Sequence, residues 1–170
     1  MTNTEMSIYE AALRHVYEHP TTFEPGQVWG ITGKSYRFIV LSSPEKSITG
    51  KDVRVLPVTN RTYLATHTDV ILPKDKVYYS ECVVFPYLAC NILTDRFDLY
   101  FTKLSDGLTK TFIAMDNKPG CIEEIPEGEG WFGDNDPEDS IIVERTEELR
   151  DELFEFSRET LALADNSKAL

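Results

Sequence analysis

The chain is poor in the residues that staple small folds or hold metals. Its 170 residues include three cysteines, Cys82, Cys90 and Cys121, and no CxxC pair. An odd, scattered set argues against a disulfide framework and against a structural zinc site. Histidine is as scarce: His15, His19 and His67. His15 and His19 stand four apart on a predicted helix, a spacing able to share a metal ion. No cysteine or acid joins them in a ligand pattern, so the pair reads as a solvated helix face. No metal and no other cofactor is expected. Also missing is any apolar run near the roughly 18 residues that span a bilayer. The first residues lack the basic-then-apolar order of a secretion signal. These absences predict a cytoplasmic protein with no membrane partner.

Basic charge is the next shortage. The chain has 17 Lys and Arg against 29 Asp and Glu, a net charge of −12. Residues 1–115 hold 12 acids and 12 bases, whereas residues 116–170 hold 17 acids and 5 bases. The excess therefore lies entirely in the last third. A neutral body beside an acidic segment can still present a local basic surface. With 41 % apolar residues the chain can bury a core, and its length suits one domain with an extension.

Periodicity sets the organisation. "SIYEAALRHVYEH" carries Met6, Tyr9, Leu13 and Val16 at helical spacing, and Pro20 ends it. Residues 1–20 thus read as an N-terminal helix packed on the main domain. From Pro25 the pattern becomes strand-like: "GQVWGI", "SYRFIVLSS", "DVRVLPVT", "TDVILP", "VYYSECVVF" and "FDLYFTKL". Short strands with polar turns predict a small barrel or strongly bent sheet over 21–115. "SDGLTKTFIAM" reads as a helix capped by Ser105, with Asp106 favoured in its first turn. Residues 116–139 are a linker by composition, rich in Pro, Gly, Asn and acids. Within the tail, 140–170, "TEELRDELFEFSRETLALA" has Leu149, Leu153, Phe156 and Leu161 near helical spacing, with Thr146 as its cap. The fold class expected is mainly β with flanking helices (α+β) and an acidic helical extension.

Taken in order, "PGQVWGI", "RFIVLSS", "VRVLPVTN", "TDVILP" and "FTKLSDG" resemble the MazF/PemK/Kid-like toxins over about residues 25–115. That family opens on Pro-Gly-(Asp)-aliphatic-Trp. An Arg-Pro-led strand ending Leu-Ser follows, then an aliphatic-Pro-aliphatic-Thr-Ser strand end, a Val-x-Leu, and a Leu-Ser-Asp helix start. The resemblance implies an SH3-like barrel, a homodimer, and metal-independent cleavage of single-stranded RNA. It also implies a separate antitoxin partner whose acidic C-terminal segment lies across the toxin. Carried onto matching positions, the active-groove residues are Arg37 and Thr59. An Arg fork stabilises the charge gathering on the phosphate, and a Thr hydroxyl positions a phosphate oxygen. Glu81, or His67, would accept the 2′-hydroxyl proton. Lys34, Asn60, Arg61 and His67 are the substrate-binding candidates.

This chain departs from the pattern at three points. "GITGKSY" between Trp29 and Arg37 has no acid, Phe38 replaces the Pro, and Asn60 replaces the Ser. Each residue also has a plain reading. Arg37 serves as a solvent-facing strand residue, Thr59 and Asn60 as turn residues, Lys34, Arg61 and Glu81 as surface charges, and Trp29 as packing. A non-catalytic barrel that binds a protein partner, antitoxin-like or nucleic-acid-mimicking, therefore stands beside the ribonuclease. The acidic tail has three readings: a solubilising extension, a mimic folded over the groove in cis, or a dock for a third protein.

Overall fold

A computed structural model describes residues 19–120 and 123–168. The helix expected before Pro20, with His15, lies outside the described residues, as does Cys121. Eight strands form one antiparallel sheet: β1 Gln27–Gly30, β2 Arg37–Val40, β3 Asp52–Thr59, β4 Val70–Leu72, β5 Cys82–Val84, β6 Cys90–Leu93, β7 Leu99–Lys103 and β8 Trp131–Phe132. Two helices accompany them among the described residues, α1 Asp106–Asn117 and α2 Ser140–Lys168. The strand order is β7-β1-β2-β3-β5-β4-β8, with β6 also on β3, so β6, β7 and β8 each have one strand neighbour among the described residues. The chain is thus mainly β with helices on both sides. No helix among the described residues is long and apolar enough to cross a membrane.

β3 is the centre of this arrangement. Its first half pairs with β6 and its last two residues pair with β5, both on the same side of the strand. Pro57 sits in the gap between those partners. Its carbonyl accepts from Phe85 N on that side, so the ring nitrogen points where no ladder donor is needed. Alternation then sorts the side chains of β3 to two faces. Val53 and Val55 join Phe38, Val40, Val83 and Phe85 on one side, where α2 adds Ile142 and Leu153. Leu56 and Val58 join Ile39, Val70 and Leu72 on the other, where α1 adds Leu108 and Phe112. Every one of these residues is buried.

The helix ends follow capping chemistry. The Ser105 side chain accepts from Leu108 N, as the sequence predicts. For α2 the start differs from the one expected at Thr146. The Asp139 carboxylate accepts from Ile141 N at 2.9 Å and Ile142 N at 3.3 Å, so the helix begins at Ser140. A polar chain then ties both helices to the sheet. Arg54 on β3 makes two bonds to Asp116 of α1, at 2.9 and 3.0 Å, and a third to Asn91 of β6. Asn91 in turn donates to Asp52, and its carbonyl accepts from Thr160 of α2.

Two sequence expectations need correction. The stretch 116–139, expected to be a linker, carries β8, whose Trp131 pairs with Ile71. Gly133 follows, so close to the sheet that a Cβ there would lie 2.5 Å from the Ala65 carbonyl oxygen. Gly133 N donates to Asp69 O, and Asn135 bonds Ala65 O through backbone and side chain. Gly130 and Gly133 serve close approach, to Ile71 and Ala65, whereas Gly120 and Gly128 take the left-handed turns of the stretch. Likewise α2 is not an appended tail, because it supplies core residues. Leu153→Ala should cost about 2–5 kcal/mol of folding stability. Phe154→Ala, one residue on and exposed, should stay within about 0.5 kcal/mol. Urea unfolding of the two variants measures the contrast.

Candidate functional site

Arg37 opens β2 opposite Val58 of β3 and Gly30 of β1. Its guanidinium carbon lies over two rings, 4.1 Å from the centroid of Tyr78 and 3.6 Å from that of Phe101. Gly30 makes the second contact feasible: a Cβ there would meet the Phe101 ring at 2.6 Å. One edge of the fork donates to the Val77 carbonyl. The Tyr78 hydroxyl is anchored at the Ser35 and Val58 carbonyls, 2.9 and 3.1 Å away. Burial lowers the guanidinium's hold on its proton, but an Arg stays charged across the physiological range. Among the described residues no carboxylate pairs with it. A half-buried cation without an anion is the electrostatic signature of the place.

Around Arg37 opens a cleft of about 660 Å³, lined by His19, the 75–79 turn and residues 98–102. Tyr78, Tyr79, Tyr100 and Phe101 give it aromatic walls. His19 lies beside Trp29, ring centroids 6.1 Å apart, and its inaccessible Nδ1 has no hydrogen-bond partner among the described residues. Asp98 is committed elsewhere: it accepts from the Thr32 hydroxyl and amide, which hold its carboxyl below the usual range. Cys82, buried beneath Arg37's strand neighbours, has its thiol pushed up to about 12 by burial. That leaves it unionised and a poor nucleophile at neutral pH. Cys90 is held up to about 12 for the same reason.

Thr59 is elsewhere. Arg37 and Val58 are directly opposed, so they share a face, and Thr59, one residue on, points to the other. There it lines a smaller cleft of about 230 Å³ with Lys34, Tyr36, Arg61 and the α2 residues Arg145, Glu148 and Glu152. Tyr36 donates to Glu152 at 2.8 Å, and Lys34 lies 3.7 Å from the same carboxylate. Burial, then Glu152, keep the Tyr36 hydroxyl protonated. The helix expected to mask the groove therefore flanks Thr59 and lines none of the Arg37 cleft. Removing 117–170 would strip β8 and part of the core, so that deletion does not test masking.

Of the sequence candidates, then, Lys34, Thr59 and Arg61 come together and Arg37 stands apart from them. Glu81 is exposed and lines neither cleft. Asn60 is exposed just beyond Thr59. His67 lies in a third, apolar cleft with Tyr87, Met115 and Phe132. His19, expected on a solvated helix face, instead lies outside regular structure with its Nδ1 inaccessible beside Trp29, and Tyr78, Tyr79 and Phe101 are site residues that the motifs do not mark. The signal available was the aromatic pair in "VYYSEC", read as strand although it forms the turn before β5. No group of three or more His, Cys, Asp or Glu among the described residues is placed to hold a metal ion.

The ring sandwich makes its own prediction. Arg37→Lys keeps the charge but loses the flat fork, so stability should fall by about 1 kcal/mol. Amide exchange across 75–79, read by mass spectrometry, should accelerate. Unchanged exchange there would mean that Arg37 does not brace the turn.

No protein-family model matches the chain, and no curated protein is significantly similar to it.

Proposed function

We propose that this chain acts on single-stranded RNA as a MazF-like endoribonuclease built on an SH3-like barrel, with the Arg37 cleft as its substrate site. The observation that carries the reading is Arg37 itself: a half-buried guanidinium with no carboxylate partner among the described residues, framed by aromatic rings. A phosphate supplies the missing anion, and rings accept bases. The motif order in "RFIVLSS", "VRVLPVTN" and "FTKLSDG" supports the family part of the proposal. So does the bifurcated pairing of β3 with β5 and β6, which bends a sheet toward a barrel.

In this reading Arg37 stabilises the phosphate as negative charge gathers on it. His19, in the same cleft, accepts the 2′-hydroxyl proton and takes the role first assigned to Glu81 and His67. The 2′-oxygen attacks phosphorus, the bond to the 5′-oxygen breaks as that oxygen takes a proton from water, and a 2′,3′-cyclic phosphate and a 5′-hydroxyl remain. Thr59 takes no part. The excess acid of the chain is no obstacle, because none of the residues lining this cleft belongs to 116–170. Glu129 approaches its rim through Lys76, at 3.8 Å.

One observation favours a second reading, a binding module that does not cleave: Arg37 and Thr59, the pair the family resemblance calls for, face opposite sides of the sheet. Purified protein incubated with single-stranded RNA in EDTA separates the two. The ribonuclease predicts cleavage that Arg37→Ala abolishes and that His19→Ala cuts at least about 100-fold with binding retained. Tight binding of intact RNA, lost in Arg37→Ala, would establish the module instead. No binding and no cleavage would discard both.

A further inference from the structure

Tyr79 is 94 % exposed, more than any other large aromatic or apolar side chain among the described residues. Its neighbours in the turn are all held. The Val77 carbonyl takes the Arg37 fork, and Tyr78 lies under the guanidinium with its hydroxyl on two carbonyls. The turn closes through Asp75 N donating to Tyr78 O at 2.7 Å, with Asp75 in the left-handed region at φ 69°. Tyr79 itself has no hydrogen bond or ring contact among the described residues. It is thus a bare ring, presented on a braced turn, at a cleft lined by Arg37, which has no carboxylate partner among the described residues.

We propose that Tyr79 is the base-stacking residue of the Arg37 cleft. A phosphate bonds the free edge of the Arg37 fork, and the adjoining unpaired base lies against the Tyr79 ring. Stacking of this kind tolerates any base, because each has a π-face. It does not tolerate a duplex, whose base faces are already covered by their neighbours. Tyr79 therefore supplies the preference for unpaired RNA, while Arg37 supplies the anchor common to any strand. The inference rests on the Arg37 cleft being the RNA site, and the experiment keeps the two claims apart.

The probes are a short unstructured RNA and a strand of equal length built from abasic ribose-phosphate units, followed by fluorescence anisotropy. Tyr79→Ala should lower the ratio of base-bearing to abasic affinity about tenfold, within the range for one stacked base. Tyr79→Phe, which keeps the ring, should hold the ratio at the wild-type value. Arg37→Ala should weaken both strands alike. Thermal midpoints of all variants report whether each folds. If Tyr79→Ala leaves the ratio unchanged while Arg37→Ala weakens both strands, the stacking role is overturned and the cleft stands. If Tyr79→Phe loses as much as Tyr79→Ala, the ring is not the contact and the proposal fails. If the wild type binds neither strand, the cleft and the proposal fall together.

Discussion

The double burial of β3 governs the molecule. A strand buried on both faces has one tolerable register, because a slip of one residue would carry Arg54 and Thr59 to the wrong sides of the sheet. The observed register sets Arg37 against Val58. From that single pairing follow the Arg37 cleft on one side and the Thr59 cleft on the other. The helices respect the same division. α1 packs on the Leu56 and Val58 side, α2 on the Val53 and Val55 side. Arg54, Asn91 and Asp116 then lock the layers with charge-assisted bonds at 2.9–3.1 Å.

Electrostatics within the two clefts differ in kind. Beside Thr59, Lys34 and Arg145 have carboxylate partners in Glu152 and Glu148, and Arg61 is the cation there without one among the described residues. Those carboxylates already do there what a phosphate would do. Beside Arg37 the partners are rings and a carbonyl, so the cation is held in place without being neutralised. Ring stacking orients a guanidinium while leaving much of its hydrogen-bonding edge free. This is why the acidic balance of the chain, −12 overall, says little about the cleft. The acids are concentrated along α2 and the 123–139 segment; of the two described acids in the Arg37 cleft, Asp75 and Asp98, the second is engaged by Thr32.

Much of the fold was legible in the sequence. Alternating runs marked β1, β2, β3, β4 and β7, and Ser105 marked the start of α1. β6 and β8 escaped because strands of four and two residues offer too little alternation to stand out. β8 also hid inside a Pro- and Gly-rich stretch in which Gly130 and Gly133 allow close contact with Ile71 and Ala65. The start of α2 was misplaced because Thr146 resembles a cap and Asp139 sat among other acids. The site was legible only in part. Arg37 stood out by its motif, but the face a strand residue occupies depends on register with a neighbour, which no single strand encodes. The family resemblance pairs Thr59 with Arg37 by motif alone, and motif carries no register. The aromatic walls were missed because Tyr78 and Tyr79 look like β-formers until the turn at Asp75 is seen.

The central claim is that Arg37's side of the sheet, and not Thr59's, receives RNA. Amide exchange of the full chain with and without a short single-stranded RNA tests it most directly. The account predicts new protection across residues 75–79 and 99–102, with residues 34–36, 59–61 and 145–152 unaffected. Protection at 59–61 and 145–152, with 75–79 unchanged, would contradict it.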